Sequence, residues 1–293
     1  MHKLGQILAA VAVVVSSVGW EFAGSAAAMP SPARSALQSA RGGPNCTAAG
    51  VSRWLHHAPT LTVATESPAY PPWFVANDPA NGQGFESAMT YDLARQLGIA
   101  RNQVSWVAEP FAASFAPGPK PFDFDVDQIS VTPGRARNVS FSRAYYQVDQ
   151  ALVARKGSRI ISRHSPAQLR TYVYGAQAGT TGLATISQRI KPTHPPVSFA
   201  TLDEAVAALQ AHRIDAVVAD GPTARNIASV RSGHSAVVGQ LPTGEHYALA
   251  FQAHNPLVSC INRALATMQA NGTLKKLERD YLGRSATAPA MKP

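Results

Sequence analysis

Charge is scarce in this 293-residue chain: Asp, Glu, Lys and Arg together make up 15% of it. Beside 45% hydrophobic residues, so low a share excludes a disordered polyelectrolyte. The length suffices for one large domain or two smaller ones. Long apolar runs are also missing. The run from Ile7 to Val15 falls well short of the ~20 residues that a spanning helix needs. It follows His2 and Lys3 and precedes Gly24-Ser25-Ala26-Ala27-Ala28, in which Ala26 and Ala28 form an A-x-A cleavage pattern. Residues 1–28 therefore read as a secretory signal peptide, with a membrane anchor or a buried helix as the alternative. Cysteine is limited to Cys46 and Cys260, with no CxxC or Cys/His cluster that would suggest zinc. In an oxidising compartment such a pair points to a disulfide. Joining Cys46 to Cys260 would close a loop of more than two hundred residues, worth ~5 kcal/mol at most on chain entropy. Cys46 lacks the small-residue context of a lipoprotein box, so no lipid anchor is expected.

Catalytic signatures are absent as well. There is no GxSxG elbow, no HExxH and no glycine-lysine phosphate loop, and nine histidines fall at no ligand spacing. No metal and no cofactor is implied. The net charge of +9 would suit an anionic surface, but Lys and Arg are scattered without a basic stripe, so no nucleic-acid partner is expected.

What is present is an alternation of strands and helices. Residues 29–59 are rich in Ala, Ser, Pro and Gly and read as a flexible lead-in. Leu61 to Thr65 is strand-like and runs into the aromatic-proline loop Tyr70-Pro71-Pro72-Trp73-Phe74. Met89, Leu93 and Leu97 have helical spacing, ending at Gly98. Val104 to Val107 is a strand, and Phe122 to Asp127 alternates apolar and acidic residues. Thr171 to Gln177 and Ile214 to Ala219 are strands flanking a helix over Thr201 to Ala211, which opens with a capping box, Thr201 to Glu204. The last long helix opens at Asn255-Pro256 and breaks at Asn271-Gly272. This order predicts an α/β fold with largely parallel sheets.

Ligands of open α/β sheets sit beyond the C-terminal ends of strands. Three segments place suitable groups there. Ser130-Val131-Thr132-Pro133-Gly134-Arg135 offers hydroxyls and a guanidinium fork able to grip a carboxylate. Gly179-Thr180-Thr181-Gly182 offers backbone amides and two hydroxyls, and Asp220 ends an apolar strand where an ammonium group would fit. Singly, each is equally readable as a surface arginine, an ordinary loop and a turn residue; together they match both ends of a zwitterion.

The stretch Phe122 to Arg135, followed by Val139-Ser140-Phe141-Ser142 and Tyr145-Tyr146, strongly resembles the family 3 extracellular solute-binding proteins, the polar-amino-acid receptors of ABC importers. Further matches are Val63 to Glu66 with Tyr70 and Trp73, Gly84-Phe85-Glu86, Gly179-Thr180-Thr181, Ile214 to Asp220 and Asn271 to Leu274, so the resemblance covers roughly residues 60 to 283. It implies a two-lobed fold, periplasmic-binding-protein-like (type II), with two hinge crossings near Asp149–Ala151 and His246–Ala248. Lobe 1 would comprise residues 60–149 with 247–283, lobe 2 residues 150–246, and 284–293 would be a loose tail. It also implies that Arg135 binds the ligand α-carboxylate with Thr180 and its loop, that Asp220 takes the α-ammonium, and that backbone near Ser130 adds an acceptor. Tyr70, Trp73 and Phe111 would sandwich the ligand, with Glu66 near its side-chain end. The implied activity is extracytoplasmic binding of an amino acid or similar small zwitterion for an ABC permease and ATPase, by an exported monomer that performs no chemistry. Two alternatives are a secreted cyclohexadienyl dehydratase-like enzyme, using Glu66, Glu86 or Asp220 as acid, and a ligand-dependent partner of a membrane sensor. The sequence departs from the family where Gly84-Phe85-Glu86 runs into Ser87 to Thr90, and in the proline-rich stretch Pro117 to Pro121, both on the lobe that tunes the side-chain pocket.

Overall fold

The computed structural model describes residues 43–163, 165–230, 234–283 and 291. The expected signal peptide lies outside the described residues. Two five-stranded sheets organise the described chain. The first has the order β2-β1-β3-β10-β4, with β1 at Leu61–Thr65, β2 at Val104–Ala108, β3 at Phe124–Asp125, β4 at Val139–Phe141 and β10 at Ala250–Gln252. The second has the order β7-β6-β8-β5-β9, with β5 at Tyr146–Arg155, β6 at Tyr174–Gln177, β7 at Val197–Phe199, β8 at Ala216–Asp220 and β9 at Ser235–Tyr247. The helices are α1 (Ala48–Val51), α2 (Phe85–Gln96), α3 (Pro166–Leu169), α4 (Thr181–Thr185), α5 (Leu202–Gln210), α6 (Gly221–Val230), α7 (Leu257–Ala270) and α8 (Thr273–Leu277).

Each sheet has its own apolar core, which makes the fold two-lobed. In lobe 1, α2, α7 and α8 bury Met89, Leu93, Ile261, Leu265 and Leu277 against β1 and β3. In lobe 2, α5 lays Leu202, Ala205, Val206 and Leu209 against Val153 and Val217. Strand β1 is buried along its whole length, Thr62 and Thr65 included, as its place between β2 and β3 requires.

The sheets are mixed rather than largely parallel. β1 pairs in parallel with β2 and β3, and β6 does so with β7 and β8, whereas β10 is antiparallel to β3 and β4, and β5 is antiparallel to β8 and β9. The reason lies in the interlobe passages. A strand entering a lobe from the passage runs away from the gap, while strands fed by helices run towards it. The chain changes sheets between Phe141 and Tyr146, and again between Tyr247 and Ala250. The first passage thus precedes Asp149–Ala151, which lies inside β5. The passages are stitched side by side, with Tyr146 opposite Tyr247.

The expected lead-in is corrected at its C-terminal end. Residues 44–59 are not a loose approach: α1 is capped by the Thr47 hydroxyl, Val51 is fully buried in the lobe 1 core, and Cys46 is bonded to Cys260 on α7. A second correction concerns the tail, whose one described residue, Met291, is buried in the lobe 2 core and donates its N–H to the Gln240 carbonyl.

Candidate functional site

The C-terminal ends of β1, β2 and β3 face those of β6 and β8 across the gap, where a cavity lies whose empty space, open solvent included, is about 560 Å³. Its wall includes Glu66 beyond β1, Phe111 beyond β2, Asp127 and Gln128 beyond β3, and Arg135 from the following turn. The opposite wall supplies Gln177 at the end of β6, Thr180 and Thr181 at the start of α4, and Asp220 at the end of β8. Tyr70 also lines it, packed against the lobe 2 core.

Arg135 is 7% exposed. Its backbone N–H donates to the Thr132 hydroxyl, which fixes the turn. Nη1 donates to the Ser130 carbonyl at 2.7 Å and Nη2 to the Gly179 carbonyl at 2.9 Å, across the gap. The guanidinium also stacks over Phe115, 4.1 Å from the ring centroid, with Phe111 at 5.3 Å. Burial lowers its pKa to about 10, partly offset by Glu245, so it stays charged at neutral pH. Two of five donors are committed among the described residues, leaving a fork for a ligand anion. Gly179 has φ +75°, a conformation glycine adopts without strain, which lets its carbonyl turn towards Arg135.

Opposite, Thr180 caps α4 by accepting from Leu183 N–H, so its hydroxyl is partly used, as is that of Thr181, which donates to Glu245 Oε2 at 2.5 Å. Asp220 accepts from Thr223 N–H at 3.0 Å, and burial pushes its carboxyl up to about 6. Glu66 accepts from Gln177 Nε2 at 2.6 Å across the gap, and burial raises it to about 7. Asp127, which accepts from Glu66 N–H, is also raised by burial and by the neighbouring carboxylates.

Arg135, Asp220, Thr180, Thr181, Glu66, Tyr70 and Phe111 thus share one cavity. Ser130 and Thr132 do not line it; they brace Arg135 from behind, and the Ser130 hydroxyl donates to Glu245 Oε2 at 2.5 Å. Trp73 is a correction. It is fully buried among Phe85, Tyr146 and Tyr247, with its Nε1–H donating to the Thr223 hydroxyl at 2.9 Å, so its ring cannot sandwich a ligand.

Several participants escaped sequence reasoning. Gln177 and Asp127 were accessible to the strand-end rule, since each closes or follows a strand. Gln150, inside β5, and Glu245, inside β9, carried no local signal. Glu245 joins Ser130 of one lobe to Thr181 of the other through a single carboxylate oxygen.

Glu86, whose place departs from the family pattern, has a structural task. Gly84 cannot carry a side chain, because a Cβ there would lie 2.3 Å from the Trp73 carbonyl oxygen. The turn aims Glu86 into the core, where it accepts from Gln128 N–H, the Gln128 side-chain amide and the Tyr145 hydroxyl. These bonds hold Gln128 at φ 47°, a conformation strained for a non-glycine residue. Burial pushes Glu86 up to about 8. A carboxyl raised in the folded state favours folding fully below its unfolded value, 4.5, and that contribution drains away as pH climbs to about 8. Glu66 acts likewise between 4.5 and about 7, and Asp220 between 3.8 and about 6. The unliganded protein should therefore lose stability between pH 5 and pH 8, on the order of a few kcal/mol, and its melting temperature should fall with it. Glu86→Gln should flatten that slope. A melting temperature that rises over this range would contradict the burial of these acids.

Comparison with known proteins agrees with this architecture. The chain is 25% identical over 232 residues to the L-cystine-binding protein TcyJ of Escherichia coli (strain K12), covering 78% of this chain and 84% of that protein. An ancestral arginine-binding protein bound to glutamine superimposes with a TM-score of 0.66 at 28% identity, over 77% of this chain and 98% of the other. The ancestral amino acid-binding protein AncCDT-1, a precursor of cyclohexadienyl dehydratase, superimposes with a TM-score of 0.64 at 26% identity, over 76% of this chain and 95% of that one. No helix of the described residues is long and apolar enough to cross a membrane. Residues 61–284 match the bacterial extracellular solute-binding proteins, family 3, and the chain belongs to that family.

Proposed function

We propose that the protein binds a free amino acid, or a similar small zwitterion, between its lobes outside the cytoplasm and delivers it to an ABC importer without transforming it. One observation carries this reading: Arg135 and Asp220 line a single cavity from opposite walls. In this reading the Arg135 fork takes the α-carboxylate, assisted by Thr180, and Asp220 takes the α-ammonium. Phe111 and Tyr70 flank the ligand body, while Glu66 stands towards its side chain. Burying a charge costs several kcal/mol unless it meets a partner, so closure is favoured only when both ligand ends are matched. The similar proteins named for binding cystine and arginine support an amino-acid ligand. Export rests on the expected signal peptide, a permease and an ATPase are the implied partners, and a monomer suffices. Cys46 spends its thiol in the disulfide and so has none left to carry a lipid.

A dehydratase reading is favoured by one feature, a buried carboxyl, Glu66, raised to about 7 within the cavity and so able to act as a general acid. Turnover of arogenate or prephenate would decide for it. The binding reading is tested by thermal shift of the mature protein against the common amino acids. A ligand at 100 times its Kd should stabilise by about 2.7 kcal/mol. No shift with any of them would refute amino-acid binding.

A further inference from the structure

We infer that Gln150 is a further ligand-binding residue, whose side-chain oxygen accepts an N–H of the ligand's α-ammonium group beside Asp220. This rests on the amino-acid-binding reading and deepens it.

The sheet sets the position. Gln150 stands on β5 directly opposite Asp220 on the antiparallel strand β8. Residues paired in this way project their side chains from the same face, with Cβ atoms about 5 Å apart. Strand β5 lies between β8 and β9 and pairs with both, so Gln150 is held from two sides. A side chain on such a strand is placed more precisely than one on a loop. Gln150 and Asp220 both line the cavity, and Gln150 is 3% exposed.

The neighbours fix which way the amide faces. Gln150 Nε2 lies 3.4 Å from the Thr181 hydroxyl oxygen. That hydroxyl has one proton, which it donates to Glu245 Oε2, so towards Gln150 it can only accept. The amide nitrogen therefore faces Thr181, and Oε1 takes the other side. Oε1 is buried and accepts from no group among the described residues.

Donors and acceptors then balance. Buried acceptors without donors are costly and rare in folded proteins. An ammonium group is the reverse case, with three N–H donors and no acceptor. Asp220 offers it a carboxylate, one oxygen of which already accepts from Thr223 N–H. A zwitterion held at Asp220 brings the missing donor to Gln150, and Gln150 gives the ammonium a neutral acceptor beside the charged one.

The test compares the mature wild-type protein with Gln150→Met, which keeps the approximate side-chain length and removes the oxygen. The common amino acids are titrated calorimetrically into the wild type, and the tightest of them into the variant. Its affinity should fall at least about tenfold, the scale of a hydrogen bond to a charged group. The melting temperature of the unliganded variant should hold or rise, because an unsatisfied buried acceptor has gone. A crystal structure of the wild-type complex should place the α-nitrogen within about 3.2 Å of Gln150 Oε1. Unchanged affinity in Gln150→Met, or an α-nitrogen beyond about 3.6 Å, would overturn the assignment. Weaker binding accompanied by early melting of the unliganded variant would mark Gln150 as a structural residue and overturn it too. Failure of every amino acid to bind the wild type would instead defeat the underlying function.

Discussion

Arg135→Ala should weaken ligand binding by about 2–5 kcal/mol, roughly thirtyfold to several thousandfold, and Asp220→Ala should do the same from the opposite wall. Either truncation leaves one end of the ligand buried against nothing, and the cost of an unmatched charge in a dry gap exceeds that of losing a surface pair. The two losses differ in their side effects. Arg135 also holds the carbonyls of Ser130 and Gly179, so its removal should lower the melting temperature of the unliganded protein slightly. Asp220 accepts a helix-start N–H at Thr223, a capping bond whose loss should cost about 1 kcal/mol. Arg135→Lys separates charge from geometry. It retains the cation without the planar fork, so most of the loss should persist. Calorimetric titration with the best ligand of the thermal screen measures each effect. Wild-type affinity in both alanine variants would place the binding site elsewhere.

Breaking the disulfide should have the largest effect on stability. Cys46 and Cys260 are 214 residues apart in sequence, with their Cα atoms 5.3 Å apart. On chain entropy, a loop of that length contributes ~5 kcal/mol as an upper figure. For a protein of this size that corresponds to a fall of about 10–20 °C in melting temperature. The bond fastens the segment that buries Val51 in the lobe 1 core, near α7 rather than near the cavity. The double variant Cys46→Ser, Cys260→Ser should therefore melt early yet keep its ligand affinity when assayed in the cold. A melting temperature within a degree or two of wild type would mean that the docked segment holds without its covalent tie.

How much could be read beforehand depended on how local each cause was. The start of α5 was legible, because Thr201 and Glu204 cap it within one turn; Thr201 accepts from Glu204 N–H at 3.2 Å, although the Glu204 carboxylate reaches Ala200 N–H rather than that of Thr201. Arg135 and Asp220 could be singled out as candidates because Asp220 closes β8 and Arg135 lies in the loop that follows β3, where ligands of α/β folds sit. The alternation of Phe122 to Asp127 does not reveal its outcome, since such a pattern is equally that of a strand with one wet face. All three acids are buried: Asp123 accepts from His56 and Thr62 N–H groups, Asp125 from the Ser114 hydroxyl and Asp127 from Glu66 N–H. Trp73 misled for a similar reason. Its surroundings come from Tyr146 and Tyr247, on strands far along the chain, so its burial was not written in its own loop.

The amino-acid order by itself determined the kind of molecule this is: an α/β chain by its pattern of elements, of the solute-binding type by the resemblance of its motifs, with a guanidinium in the loop after β3, a carboxylate at the end of β8 and two cysteines suited to pairing. Those features depend on periodicity, capping and residue chemistry within a few positions. Only the tertiary structure decided that β5 and β9 run antiparallel at the passage between lobes, that Glu245 joins Ser130 to Thr181, and that Glu66 meets Gln177 across the gap. Register between distant strands sets each of these, and register is fixed by the packing of whole sheets rather than by any short run of residues.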